Sequence, residues 1–408
     1  MLRALSTGVT GLRTNQAALD VIGNNVANIN TTGFKGARTH FADLLSQTLT
    51  GAQAPTANTG GRDASQIGLG ATLAQVRTLF SQGTIQSTDH HTDLAIQGEG
   101  MFILANGADT LYTRAGAFTL DADGTLVDAA TGYRVQGAAG DIVIAPGSTL
   151  PGAATTTATF GGNLDASQPD GTTHVMTFSV NDSLGAPHTI TLTFTKNFAG
   201  APGRWDWAAT ESDANIASLA GATGQLVFNT SGAIASGGTP TLTVNYAAAA
   251  GAATPQNVVL DFGSAANTAP MTGFAGASTG ALASQNGYAS GTLHSFSIAA
   301  DGSVVGSYTN GRTQTIAQIQ LAHFANPAGL TREGQNLFRV SQNSGPAQVG
   351  DPGTGGRGTL IAGALEGSNV DLAREFTELI THQRGFEASA RIIRAGDEIL
   401  QTAVNIKQ

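Results

Sequence analysis

The chain has 408 residues, 41% of them hydrophobic and only 12% charged, with a formal net charge of −9 and no cysteine. Zero cysteines exclude disulfides, thiolate metal sites and thiol nucleophiles, and an acidic balance without any Lys/Arg run argues against nucleic acid or anionic membrane as partner. A length that accommodates about two to four domains, together with 54 glycines, points to β-rich domains with many tight turns.

Residues 1–30 are expected to form a helix. Apolar residues fall at Leu2, Leu5, Val9, Leu12, Leu19 and Val26, a heptad seam on which Gln16 and Gly23 also lie. The first residues hold no apolar run long enough for a signal peptide or a spanning helix, so export, if it occurs, is expected without a cleaved signal, and membrane insertion is not expected. The helix stops in ANINTTGFKG, where Asn28 and Asn30 tolerate turn conformations, Gly33 can take positive φ, and Phe34 supplies an apolar anchor for a corner. A connector follows over 31–70.

From there the hydrophobic period becomes that of strands. LAIQGEGMFIL, LYTRAGAFTLDADGTLVD and YRVQG, with a turn at Asp123-Gly124, mark the N-terminal part of a first β domain over 71–145. An inserted outer β domain is expected over 146–284, with strands such as HVMTFSVND and HTITLTFTK, bounded by Pro146 and Pro151 on one side and the Gly/Ala/Ser-rich TGFAGASTGALASQ on the other. The first β domain resumes over 285–345, where Asp301-Gly302 marks another turn, and a second connector covers 346–367.

The segment 368–408 is a second heptad helix, with Ser368 and Asp371 as start signals. Its seam is Leu372, Phe376, Leu379, Phe386, Ile393, Leu400 and Val404, interrupted by Gln383, Ala390 and Asp397. A single amphipathic helix cannot bury such a stripe alone; it needs its opposite number, neighbouring subunits, or both. The fold class is therefore mixed, mainly β with terminal α-helices, the helices forming a coiled-coil-like domain beside two nested β-rich domains.

A search for chemistry returns little. None of the eight histidines stands four residues from another, so no helical metal pair exists. Asp121-Ala122-Asp123-Gly124 begins like a calcium loop, but its glycine comes early and position twelve is Gly132, which favours a hairpin turn. GLGATLAQ lacks a third glycine and a phosphate-binding lysine, and no serine sits in a nucleophile-elbow context. Trp205 and Trp207 would either stack on sugar or pack on one sheet face. No enzyme, metal or cofactor is expected.

GNNVANINTTGFKG, DLAIQGEGMF, YTRAGAF and ALEGSNVDLAREFTELITHQRGFEASARII resemble the bacterial flagellar rod and hook family of axial proteins. VNDSLGAPHTITLTFTK, YTNGRTQTIAQIQLAHFANPAGLTREGQNLF and the size of the insertion are similar to its hook branch, with a distal rod member as the nearer alternative and an extracellular polysaccharide-active β protein as a remote one. The resemblance implies a homopolymer forming a short curved tube outside the cell, which passes torque while bending as a universal joint. It also implies export through the flagellar type III apparatus, and rod, hook-cap and hook-filament junction proteins as partners. QRGFEASAR departs from the family at Phe386 and Ser389, where tyrosine and asparagine are more usual.

Overall fold

The computed structural model describes residues 2–56, 59–199 and 203–405, without the side chains of 2–4, 403 and 404. Two compact units emerge: Met1–Ala145 with Phe296–Val305 and Thr315–Gln408, and Pro146–Ser295 with Gly306–Gln314. The second unit opens at Pro146 but closes at Ser295, later than the 284 expected from composition, and it also takes 306–314. The glycine-rich edge is not a linker. Ala281–Gln285 is a strand paired antiparallel with Thr157–Asn163, and Gly162 lies so close to Thr279 that a Cβ would come within 2.6 Å of its carbonyl oxygen. Small residues here permit contact between backbones instead of a hinge.

In the first unit, helix α1 spans Leu2–Ala27 and helix α2 spans Leu372–Asn405. The cap of α2 is Asp371, whose Oδ1 accepts the Ala373 amide at 3.0 Å. Ser368 serves the turn before it, accepting the Val370 amide at 3.3 Å. The connector expected over 31–70 is a ribbon: β1 (Ala37–Asp43) and β2 (Ser46–Thr50) run out, β3 (Ser65–Gly68) and β4 (Ala71–Thr78) return. β1 pairs antiparallel with β4 and β2 with β3. Both faces stay largely open, with Phe41 41% and Leu45 82% exposed, so no half-buried alternation betrayed these strands.

β5 (Ile85–Ser87) pairs with Ala364–Glu366, and β6 (Leu94–Gln97) with Thr359–Ala362. The main sheet is built on the hairpin of β7 (Met101–Asn106) and β8 (Asp109–Thr113). β8 pairs with Leu337–Arg339, while β7 pairs with Leu321–His323 and with Arg134–Gly137. Met101, Ile103, Tyr112, Phe324 and Phe338 form one core there. Both arms of the chain thus supply the main sheet and the helix pair of this unit.

The second unit stacks a five-stranded sheet and a six-stranded sheet. Pro187–Lys196 alternates buried and less buried residues along its length, the pattern of a strand with one face on a core. The shared core includes Phe160, Phe178, Phe194, Phe262, Trp205 and Trp207. Trp205 and Trp207 are 1% and 2% exposed, so they pack on a sheet face and offer no surface on which a sugar could stack. That removes the only observation behind the polysaccharide alternative.

Candidate assembly surface: the helix pair and its corner

α1 and α2 pack antiparallel. Ideal Cβ atoms built on glycines show how close they come: Gly396 would reach Leu5 at 3.2 Å, Gly8 would reach Ile393 at 3.0 Å, and Gly385 would reach Asn15 at 2.9 Å. His382 Nδ1 lies 3.0 Å from Asn15 Oδ1, and Asn25 Nδ2 donates to Glu375 Oε2 at 3.2 Å. Glu375 is buried, which raises its carboxyl above the ordinary value despite the Asn25 bond.

This contact face shares one line of the expected seam and shifts the other by a residue. Leu5, Leu12, Leu19 and Val26, and Leu379, Phe386, Ile393 and Leu400, are half-buried. The alternate positions are Gly8, Asn15 and Ile22 on α1, and His382, Ser389 and Gly396 on α2, each one residue before Val9, Gln16, Gly23, Gln383, Ala390 and Asp397. Gln16, Gly23, Gln383 and Asp397 are exposed, so they do not interrupt the intramolecular seam. The cause is size: Gly8, Gly11, Ser389 and Gly396 carry no apolar signature, yet they let two helices approach closely. Val9, Leu372 and Phe376 remain 38%, 40% and 50% exposed, as do Ile380, Ile392 and Ile399 at 50–53%. Leu2 and Val404 have side chains outside the described residues.

The helix pair leaves apolar patches open and ends in a tightly built corner. After Ala27, the Asn28 amide donates to Asn24 O at 3.2 Å and its Nδ2 to the same carbonyl at 2.9 Å; Asn30 is exposed. Gly33 has φ of 68° and donates its amide to Glu366 O at 2.7 Å. A Cβ on Gly33 would come within 2.5 Å of the Ala115 amide nitrogen. Phe34 is 5% exposed, with the Arg332 guanidinium 5.3 Å from its ring centroid. Arg332 also donates to the Lys35 carbonyl, and Asn336 Nδ2 donates to Thr32 O at 2.9 Å.

Beneath the corner lies a charge cluster that pattern reading missed. Lys35, Arg114 and Glu366 are all buried. Glu366 Oε1 accepts Lys35 Nζ at 2.7 Å and the Gly83 amide at 2.8 Å, and Oε2 accepts Arg114 Nε at 2.5 Å. Arg114 further donates to the carbonyls of Ile96, Gly98 and Gly100, and Lys35 to that of Ser81. Burial alone would raise the Glu366 carboxyl, but Arg114 and Lys35 overturn that and hold it below its ordinary value. Burial pulls Lys35 down against the opposing attraction of Glu366. One buried carboxylate pairs with both cations, so the cluster ties together the exit of α1, the entry of α2 and the β framework. In the sequence these are three charged residues far apart along the chain, and nothing in their spacing links them.

Other candidates for chemistry take structural duties. Asp121 Oδ1 accepts the amides of Asp123 and Thr125 at 3.0 and 2.7 Å, closing a turn with Gly124 at φ 81°. In the second unit His188, 2% exposed, places Nδ1 2.6 Å from Asp213 Oδ2 and Nε2 3.1 Å from Asp182 Oδ2.

Comparison with known proteins shows family models along most of the chain. The flagella basal body rod protein model matches 5–35, the flagellar hook protein FlgE/F/G D1 domain 95–162, the flagellar basal body protein FlaE D2 domain 148–288, and the flagellar basal body rod FlgEFG protein C-terminal model 361–406. The flagellar hook protein FlgE of Treponema pallidum is 37% identical over 466 aligned positions, with 100% of both chains covered. This chain belongs to the flagellar hook protein FlgE family. The FlgE family is one of structural flagellar proteins, and its rod relatives are near: the flagellar basal-body rod protein FlgG of Bacillus subtilis is 32% identical, with 100% of both chains covered. The crystal structure of Helicobacter pylori flagellar hook protein FlgE2 shares the fold, with a TM-score of 0.53 at 13% identity over 69% of this chain and 100% of that one. In this FlgE-family chain no helix among the described residues is long and apolar enough to cross a membrane.

Proposed function

We propose that this chain is the repeating structural subunit of a bacterial flagellar hook, and that its helix pair is the surface through which copies assemble. The observation that carries this reading is a helix pair which has closed its own seam and still leaves Leu372, Phe376, Ile380, Ile392 and Ile399 40–53% exposed on a single helix. Such residues gain burial only when further copies arrive, so the contribution of the wall grows with assembly. The half-buried line of the expected seam (Leu5, Leu12, Leu19, Val26, Leu379, Phe386, Ile393 and Leu400) closes each subunit, and the exposed positions join subunits. The corner at Asn28, Asn30, Gly33 and Phe34 fixes the direction in which the pair leaves the β framework.

The product is a curved, flexible tube that transmits torque as a universal joint, outside the cell and without catalysis. Its partners are other copies of itself, rod, hook-cap and hook-filament junction proteins, and the type III export apparatus. The test is electron microscopy of the purified chain under assembly conditions, beside Phe376→Asp. The parent should form curved tubes and the variant should remain a folded monomer; persistent parent monomers, or variant tubes of normal yield, would overturn the assignment. The likeness to a rod FlgG favours one second reading, a distal rod subunit, for which the tubes would be straight.

A further inference from the structure

The second unit holds a nearly buried lysine that makes no ion pair among the described residues. Lys196 is 2% exposed, at the end of Pro187–Lys196. Its Nζ lies 5.1 Å from the ring centroids of both Phe198 and Trp205. Among the described residues no carboxylate stands within ion-pair distance of it and no acceptor bonds to it. The charge that acts on it from farther away, Asp165, is already committed. Asp165 Oδ1 accepts the Ser167 amide and hydroxyl at 2.8 and 2.6 Å, and Oδ2 accepts Gln168 Nε2 at 2.8 Å. Burial pulls the Lys196 ammonium below the usual lysine range, with Asp165 opposing.

Lys196 and Trp205 line a cavity of about 330 Å³, together with Phe228, Asn229, Thr230 and Gly273. The Trp205 indole Nε1 is buried without an acceptor. Lys196 therefore brings to this cavity a charge that no described carboxylate pairs, with Phe228 supplying an apolar wall and Thr230, exposed, at its solvent side. A lysine side chain only 2% exposed and without a described acceptor carries a desolvation cost, which an anionic acceptor entering the cavity would offset.

We propose that this cavity is a binding site for a carboxylate group, with Lys196 as its counter-ion and Phe228, Asn229 and Thr230 around it. The carboxylate comes either from a small soluble acid or from an acidic side chain of a second copy of the chain. The first source does not depend on the polymer reading, so its failure and the failure of that reading are separable.

The test uses the full chain, whose two tryptophans are Trp205 and Trp207, and follows their emission. Monomer is titrated with sodium acetate at constant ionic strength against chloride, beside Lys196→Met, which keeps the stem and removes the charge, and Thr230→Phe, which narrows the cavity. A saturable acetate-dependent change in the parent, lost in both variants, supports a soluble carboxylate. A change that appears only on assembly without acetate, and is lost in Lys196→Met, supports the side chain of a second copy. Emission that responds to neither acetate nor assembly, or that responds equally in parent and variants, overturns the proposal. Thr230→Phe leaves Lys196 in place, so it decides the matter should Lys196→Met fail to fold.

Discussion

Lys35 Nζ and Glu366 Oε1 meet at 2.7 Å with side chains 1% and 0% exposed, so a residue just after the first helix and one just before the second share a buried ion pair. Glu366 also answers Arg114. Removing its charge would strand two buried cations, which generally costs about 3–5 kcal/mol. Glu366→Gln should therefore lower the stability of the first unit by that order in chemical denaturation, with faster amide exchange at Gly33 and Gly83. The double variant Lys35→Met with Glu366→Gln should recover part of the loss. A single variant within about 1 kcal/mol of the parent would show that the clamp is dispensable.

Gly33 is constrained twice, by φ of 68° and by the backbone of Arg114 and Ala115 at 2.5–2.8 Å from a built Cβ. Gly33→Val should destabilise the monomer itself, because the clash lies inside the first unit. The expected loss is at least about 2 kcal/mol, visible in thermal unfolding before any assembly assay. Full monomer stability with lost assembly would instead make this corner an intersubunit contact.

Glu375 faces α1 from a buried position, and its carboxyl is raised chiefly by burial. A carboxyl with a raised native pKa contributes stability that is present below its unfolded value and lost as pH rises through the native one. At neutral pH the charged form is therefore a burden on the helix pair. Glu375→Gln should slow amide exchange along α1 and α2 at pH 7, and the difference from the parent should vanish as the pH falls below the ordinary carboxylate range.

The carboxylates of the second unit act with the opposite sign. Asp213 is lowered by the Asn215 amide and by His188, and Asp182 ends below its ordinary value because His188 and the amides of Ala186 and Leu184 outweigh burial. Asp165 is lowered most, by the Ser167 hydroxyl and amide. Lowered carboxyls contribute stability above their unfolded values that disappears as pH falls through the native ones. Near-ultraviolet circular dichroism from Trp205 and Trp207 should thus hold from neutral pH down to the ordinary carboxylate range and decline below it. His188→Leu, which leaves Asp182 and Asp213 without that partner, should move the decline to higher pH.

The two helices and the strands of the second unit's core were legible because each writes a period into the chain. Leu5, Leu12, Leu19 and Val26 mark one line of a packed face, and the alternation in HTITLTFTK marks a strand half in a core. What stayed hidden lacks a period. Gly8, Gly11, Ser389 and Gly396 act by being small, so at these positions the intramolecular face leaves no apolar mark in the sequence. The ribbon of 37–78 buries neither face, and Lys35, Arg114 and Glu366 become a cluster only through contacts that span hundreds of residues.

Those spans set an order of events. Lys35 and Glu366 are separated by 331 positions, and Asn25 and Glu375 by 350. Contacts so distant along the chain form late, because a long loop must close before they return any energy. A polypeptide emerging N-terminus first cannot complete the clamp until residue 366 has emerged as well. The first unit therefore carries its own delay: the corner after its first helix waits for a partner more than three hundred positions farther along the chain.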